Sequence, residues 1–176
     1  MADSIRRHGF TLTEMLVVLG IVAVLSAIAI PMIRSGIRAS HKTACLSNLR
    51  QIGIGLEAYL QDNNQTMPVL EAGRRSRSED LPVLDTLLEP YLETTAVFRC
   101  PADPEEWEKS GSSYLWNNTQ NGLRRSELSF FGSENNPARI PLVIDKEAWH
   151  GEGDTGSNFL YADYSATNRL KFAVSP

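Results

Sequence analysis

A long uncharged stretch near the start dominates the pattern of hydrophobic and polar positions along the chain. Between Met15 and Ile33 no residue is charged, and only three residues are not apolar: Gly20, Ser26 and Pro31. A helix from Phe10 to Ile33 would be about 36 Å long, which is enough to cross a hydrocarbon core of roughly 30 Å. The pattern therefore predicts a membrane-spanning helix over residues 10–33.

The apolar residues that follow recur at a helical spacing of three or four. Between Ala44 and Gln61 they are Leu46, Leu49, Ile52, Leu56, Tyr59 and Leu60. This spacing predicts an amphipathic continuation of the same helix over residues 34–62, ended by the polar triplet at 62–64. Two separate helices, broken at Pro31 or at Ser35–Gly36, are the alternative. Gly53 and Gly55 lower helix propensity and would let a sheet approach closely.

The pattern changes from helix to short strands in the second half of the chain. An apolar segment at 81–92 has helical spacing, with Pro82 in its first turn and Pro90 bending or ending it. Four short strands are predicted at 113–116, 140–144, 159–162 and 170–174, separated by turn residues. The expected fold is α+β, in which a long N-terminal helix packs on the small antiparallel sheet of a globular head at 63–176.

Composition and charge exclude several classes of protein. The net charge of −4 argues against a nucleic-acid partner. Two cysteines are too few for a disulfide scaffold or a four-cysteine zinc site. The three histidines are His8, His41 and His150, with no nucleophile motif near His150 and no phosphate-binding glycine loop. We therefore do not expect an enzyme.

Glu14 is unusual because a carboxylate at the edge of an apolar helix is costly to bury in a membrane. If it lies at the headgroup boundary, the cost is small. Otherwise it needs a cationic partner, and the nearest candidate is an α-amine created by cleavage just upstream. A signal peptidase site at Ala27-Ile28-Ala29 is a further alternative, which would release the head as a secreted domain.

The N-terminal segment carries a specific resemblance. The run RRHGFTLTEMLVV, residues 6–18, resembles the start of type IV pilins and type II secretion pseudopilins. The resemblance implies a leader at residues 1–9, cleavage between Gly9 and Phe10 by prepilin peptidase, and N-methylation of Phe10. It also implies that Glu14 guides assembly and that Pro31 lies where this family commonly kinks its helix.

What the resemblance implies is a structural subunit of a type II secretion pseudopilus or a type IV pilus-like filament. Its partners would be prepilin peptidase, other pilin or pseudopilin subunits, an inner-membrane assembly platform and membrane lipid. The subunit would cross the inner membrane once, with a cytoplasmic leader and a periplasmic head. The alternative is a single-span anchored binding protein that does not polymerise.

The two cysteines, Cys45 and Cys100, are separated by 55 positions. In an oxidising periplasm they are candidates for a disulfide that ties the helix to the loop before the sheet. Two buried free thiols are the alternative.

The head resembles a group of pseudopilin-like proteins abundant in planctomycete and verrucomicrobial bacteria. The similarity lies in the runs ACLSNLRQIG (44–53), FRCPAD (98–103) and NFLYAD (158–163), and in a preceding histidine, His150. Many members have a histidine before an Asp-Gly pair, whereas here Asp163 is followed by Tyr164. No cofactor is expected from this similarity.

The polar loop after His150 is a weak candidate for calcium binding, because some major pseudopilins bind calcium in a C-terminal loop. The candidate ligands are Asp154, Asn158 and Asp163.

Overall fold

The computed structural model describes residues 11–134, 136–151 and 156–171. Within these residues there are three α-helices: α1 (Leu12–Asp62), α2 (Leu84–Leu87) and α3 (Glu106–Ser110). The four strands are β1 (Tyr114–Trp116), β2 (Pro141–Asp145), β3 (Phe159–Tyr161) and β4 (Ala166–Thr167). Short 3₁₀ helices occupy Glu89–Tyr91, Thr95–Phe98, Asn118–Gln120, Arg125–Glu127 and Pro137–Arg139. A long N-terminal helix and a small antiparallel sheet confirm the expected α+β class.

Helix α1 is continuous from Leu12 to Asp62 and contains Pro31. The alternative of two helices broken near Pro31 or Ser35–Gly36 is therefore wrong. The predicted end at 62–64 is confirmed, and the chain leaves the helix through two residues with positive φ, Asn64 at 54° and Gln65 at 59°. The Gln65 N–H donates to the Leu60 carbonyl, which satisfies a carbonyl near the helix end.

The chain divides after Ala39 into two compact units. The second unit begins at Ser40, so the amphipathic part of α1 belongs to the same unit as the head. Its buried positions fall on one face at helical spacing: Cys45, Leu49, Ile52, Leu56 and Leu60. This face shares a core with Leu142, Val143 and Leu160 of the sheet. The amphipathic pattern over this half of α1 thus marks the face that packs on the head.

The sheet is an antiparallel meander in the order β1-β2-β3-β4. The first three predicted strands are confirmed, with an irregularity in β2 between Pro141 and Val143. The fourth strand was expected at 170–174, of which residues 172–174 lie outside the described residues, and Leu170 and Lys171 are not in a strand. Within the described residues, the strand that pairs with β3 is β4, Ala166–Thr167. Tyr164 adopts a positive φ of 62°, and its N–H donates to the Tyr161 carbonyl. The chain therefore reverses directly after β3, and the first residues that can pair with it precede 170.

The predicted helix over 81–92 is also shorter than expected. The structure has α2 at Leu84–Leu87, with Val83 as its N-cap, followed by a separate 3₁₀ helix at Glu89–Tyr91. Pro82 is therefore outside the first turn, and its carbonyl instead accepts the Glu71 N–H. Pro90 lies at the start of the 3₁₀ helix, where its fixed φ fits.

Gly53 allows the sheet to approach α1, as its position suggested. A Cβ added at Gly53 would lie 3.2 Å from side-chain atoms of both Leu160 and Tyr164. We expect Gly53→Val to destabilise the head by about 1–3 kcal/mol, because its methyl groups would overpack this contact. The measurement is chemical denaturation of the full chain in detergent, followed by tryptophan fluorescence.

Gly36→Val provides the matched control, because a Cβ at Gly36 meets nothing within 4 Å. Valine has a somewhat higher helix propensity than glycine, so Gly36→Val should leave stability unchanged or slightly higher. Equal stability of the two variants would contradict close packing between α1 and β3 at Gly53.

Candidate functional site

The start of α1 is organised by a reciprocal pair of hydrogen bonds between Thr11 and Glu14. The Thr11 N–H donates to Glu14 Oε2 at 2.8 Å, and Thr11 Oγ1 donates to the same oxygen at 2.7 Å. The Glu14 N–H in turn lies 3.3 Å from Thr11 Oγ1. This is a capping box, which satisfies backbone donors at the first turn and places a carboxylate at the positive end of the helix dipole.

The Thr-Leu-Thr-Glu sequence contains the signal for this cap, although the sequence analysis considered Glu14 only as a charge. The predicted cleavage and methylation residues, Gly9 and Phe10, lie outside the described residues. Among the described residues, the structure shows Thr11 as the hydrogen-bond partner of the Glu14 carboxylate. The role of Glu14 in assembly stays a prediction.

The first part of α1 exposes a long, largely apolar surface. All large apolar side chains from Leu12 to Ile37 are exposed, and the least exposed of them, Met15, is still 43% accessible. By length and composition, α1 is the one helix within the described residues that could cross a membrane. Burying so much apolar surface against lipid or other helices is strongly favourable.

In the head, Cys45 of α1 and Cys100 are joined by a disulfide with a Cα–Cα distance of 5.0 Å. Both residues are completely buried. The link closes a loop of 55 residues and attaches the amphipathic half of α1 to the segment before α3.

Cys100 is held in place by a network around Asp103, which the sequence analysis did not predict. Asp103 Oδ1 accepts the N–H groups of Glu105 and Glu106, and its Oδ2 accepts the Trp107 N–H and the Ser113 hydroxyl. Ser113 Oγ then accepts the Cys100 N–H at 2.9 Å. Asp103 therefore caps the turn leading into α3. The sequence signal for such a cap is an aspartate two or three residues before an acidic first turn.

His150 and Asp145 lie beside the disulfide. His150 Nε2 is 3.3 Å from Cys100 Sγ and 3.6 Å from Asp145 Oδ2. The two side chains are almost inaccessible, at 2% and 0% exposure. Burial lowers the pKa of His150, an effect reinforced by the nearby charges of Lys42 and His41. Burial also raises the pKa of Asp145 to about 7.

The three weak calcium candidates are in different environments. Asn158 is fully buried, and its backbone N–H donates to Asp145 Oδ2. Asp163 is exposed and accepts the N–H and hydroxyl of Ser165 in the turn after β3. Asp154 lies outside the described residues. Calcium binding by this loop stays a prediction.

Comparisons with known proteins agree with the architecture. Residues 5–30 match the family described as "Prokaryotic N-terminal methylation motif". The chain is also 30% identical over 99 residues to the type II secretion system core protein G of Escherichia coli (strain K12). That alignment covers 56% of this chain and 67% of the Escherichia coli protein. The chain belongs to the pilin and pseudopilin family.

Because the chain belongs to the pilin and pseudopilin family, a general role can be assigned to the exposed helix and the head. The protein is a membrane-anchored subunit of the pseudopilus type, and the family points to a structural rather than a catalytic role. No solved structure matches the chain. The pilin-type assignment therefore rests on the sequence matches together with the helix and sheet arrangement described above.

Proposed function

We propose that the chain is a prepilin that matures into a filament subunit. Prepilin peptidase cleaves between Gly9 and Phe10, and the new N-terminal Phe10 is methylated. The mature subunit is stored in the inner membrane and then assembles by packing α1 against α1 of other subunits, homologous or identical. An inner-membrane assembly platform inserts subunits into a type II secretion pseudopilus or a type IV pilus-like filament.

The observation that carries this proposal is the apolar surface of α1 between Leu12 and Ile37. It starts with a capped carboxylate at Glu14 and continues as the helix that forms part of the head's core. Such a surface can be covered by lipid before assembly and by neighbouring helices afterwards. Head-to-tail contacts between identical subunits generate open helical filaments.

The proposed orientation places the leader in the cytoplasm and the head in the periplasm. The Cys45–Cys100 disulfide supports this orientation, because structural disulfides persist in oxidising compartments and are rare in the cytosol. The basic residues on the two sides of the span do not by themselves favour either orientation.

The test of maturation is the intact mass and N-terminal sequence of the protein isolated from its native membrane. We expect a chain that begins at methylated Phe10. Gly9→Val should abolish cleavage and leave the leader attached, because a β-branched side chain replaces the glycine at the cleavage site. The expected effect is essentially complete retention of the uncut form, seen as a shift in mass.

Ala29→Val is the matched variant for the competing signal-peptide interpretation. It changes the small residue that signal peptidase would require before Ile30. Under the proposal, Ala29→Val is processed normally. A mature chain that begins at Ile30, or a Gly9→Val variant that is cleaved as efficiently as the unmodified protein, would contradict prepilin processing.

A further inference from the structure

Two sulfur atoms, an imidazole and a carboxylate converge inside the head. The Sγ atoms of Cys45 and Cys100 and a ring nitrogen of His150 all lie within 4.8 Å of one another. Asp145 Oδ2 is 3.6 Å from the same His150 nitrogen. The four residues come from α1, the segment before α3, β2 and the loop after β2. Nothing in the filament function proposed above requires a histidine and an aspartate next to this disulfide.

The two ligand spacings measured from His150 fit a tetrahedral metal site. Zinc binds cysteine sulfur at about 2.3 Å and histidine nitrogen or carboxylate oxygen at about 2.0–2.2 Å, so neighbouring ligand atoms are about 3.3–3.8 Å apart. The distances from His150 Nε2 to Cys100 Sγ (3.3 Å) and to Asp145 Oδ2 (3.6 Å) lie in that range. Opening the disulfide would let the two sulfur atoms separate to the same spacing.

One carboxylate oxygen of the cluster also lacks a partner. Asp145 Oδ1 is buried and has no hydrogen-bond partner among the described residues. An unpaired buried polar atom is costly, so a metal ion bound by this carboxylate would be stabilising. Two outer contacts already orient the ligands: Asn158 N–H donates to Asp145 Oδ2, and Cys100 N–H donates to Ser113 Oγ.

We propose that the reduced chain binds one zinc ion through Cys45 Sγ, Cys100 Sγ, His150 Nε2 and the Asp145 carboxylate. Binding involves no electron transfer: the two thiols each release a proton, Asp145 binds as the carboxylate and His150 as the neutral imidazole, so the zinc site carries a net charge of −1. Thiolate and imidazole ligands favour zinc over magnesium or calcium. Because the ligands are buried, the site is a closed structural one with no position open to substrate.

Zinc and the disulfide are then alternative ways of joining α1 to the head. Forming the disulfide by exchange with a disulfide oxidant removes two electrons and two protons from the dithiol, and the sulfur atoms can no longer coordinate zinc. The zinc form would hold Cys45 near Cys100 in a chain whose thiols have not yet been oxidised. This inference concerns the isolated subunit and does not depend on the filament proposal.

The test uses the full chain in detergent, reduced with a phosphine that is then removed under anaerobic conditions. Co²⁺ is added as the spectroscopic probe, and Zn²⁺ is used to displace it. We expect one Co²⁺ per chain, with a thiolate-to-metal charge-transfer band and the visible bands of tetrahedral cobalt. Tryptophan fluorescence verifies that the unmodified chain and each variant are folded both before and after reduction.

Ligand variants and matched controls identify the coordinating residues. His150→Ala and Asp145→Asn should each weaken binding at least about tenfold, and Cys45→Ala with Cys100→Ala should remove the charge-transfer band. His41→Ala and Asp163→Asn should bind Co²⁺ like the unmodified chain, because neither residue belongs to the cluster. The oxidised chain should show no thiolate band.

Three results would overturn the inference. The first is a reduced, folded chain that shows no thiolate-to-cobalt band. The second is unchanged affinity in folded His150→Ala and Asp145→Asn variants, and the third is equal Co²⁺ binding by the oxidised and reduced chains.

Discussion

Replacing Glu14 with leucine is expected to abolish filament assembly while leaving membrane insertion intact. The leucine extends an apolar stretch that is already long enough to span the membrane, so insertion should be unaffected. Assembly should be lost because the carboxylate no longer pairs with the Phe10 α-amine, a contact that would fix the register between neighbouring subunits. The measurements are chemical crosslinking and recovery of sheared filaments for assembly, and alkaline extraction of membranes for insertion.

Two further variants separate the charge of Glu14 from its role as a cap. Glu14→Gln removes the charge but retains an oxygen that accepts the Thr11 N–H and hydroxyl. Thr11→Val removes the hydroxyl and leaves the carboxylate. If the charge pair drives assembly, Glu14→Gln should fail like Glu14→Leu, whereas Thr11→Val should assemble with at most a modest loss from helix fraying.

The opposite pattern would assign the effect to helix capping. If Glu14→Leu were to crosslink and form filaments like the unmodified protein, assembly would not depend on Glu14. If neither protein formed filaments, the chain would instead be a single-span anchored protein that does not polymerise. Because insertion is measured in the same membranes, loss of assembly cannot be confused with loss of the protein.

The sequence predicts α1 well because the signals for this helix are local. The uncharged stretch and the three-to-four spacing at Leu49, Ile52 and Leu56 depend only on neighbours along one helix. The pairing of β3 with Ala166–Thr167 was not predicted, because it depends on the turn at Tyr164, whose positive φ is unusual for a tyrosine. The alternating residues at 170–174 were the stronger local pattern, but pairing with β3 starts as soon as the chain reverses.

The residues of the candidate sites could likewise be predicted only where their signal in the sequence is local. Glu14 and the two cysteines could be singled out from the sequence because each is conspicuous in its surroundings. The convergence of Asp145 and His150 on the disulfide could not, since it requires the β1–β2 pairing and the packing of α1 on the sheet. The capping role of Asp103 could have been predicted from the sequence, because an aspartate ahead of Glu105-Glu106-Trp107 is a local capping signal.

Removing the disulfide with Cys45→Ala and Cys100→Ala is expected to destabilise the head by about 4 kcal/mol. This value follows from the loss of loop-closure entropy in the unfolded chain for a loop of 55 residues. For a unit of this size it corresponds to a fall in Tm of about 10 °C or more. Alanine is preferred to serine because both positions are fully buried, and a serine hydroxyl would add the cost of an unpaired polar group. Thermal unfolding followed by tryptophan fluorescence measures the effect.

Reduction of the unmodified chain separates the covalent link from the substitutions. In the presence of a metal chelator, a reductant should lower its Tm by a similar amount and leave that of the double alanine variant unchanged. The two states of the unmodified chain share every side chain, so their difference comes from the bond itself. Equal Tm values for the oxidised and reduced chains would mean that packing of α1 on β3, rather than the cystine, holds the helix to the head. Recovery of Tm when zinc replaces the chelator would then separate the contribution of the metal site from that of the disulfide.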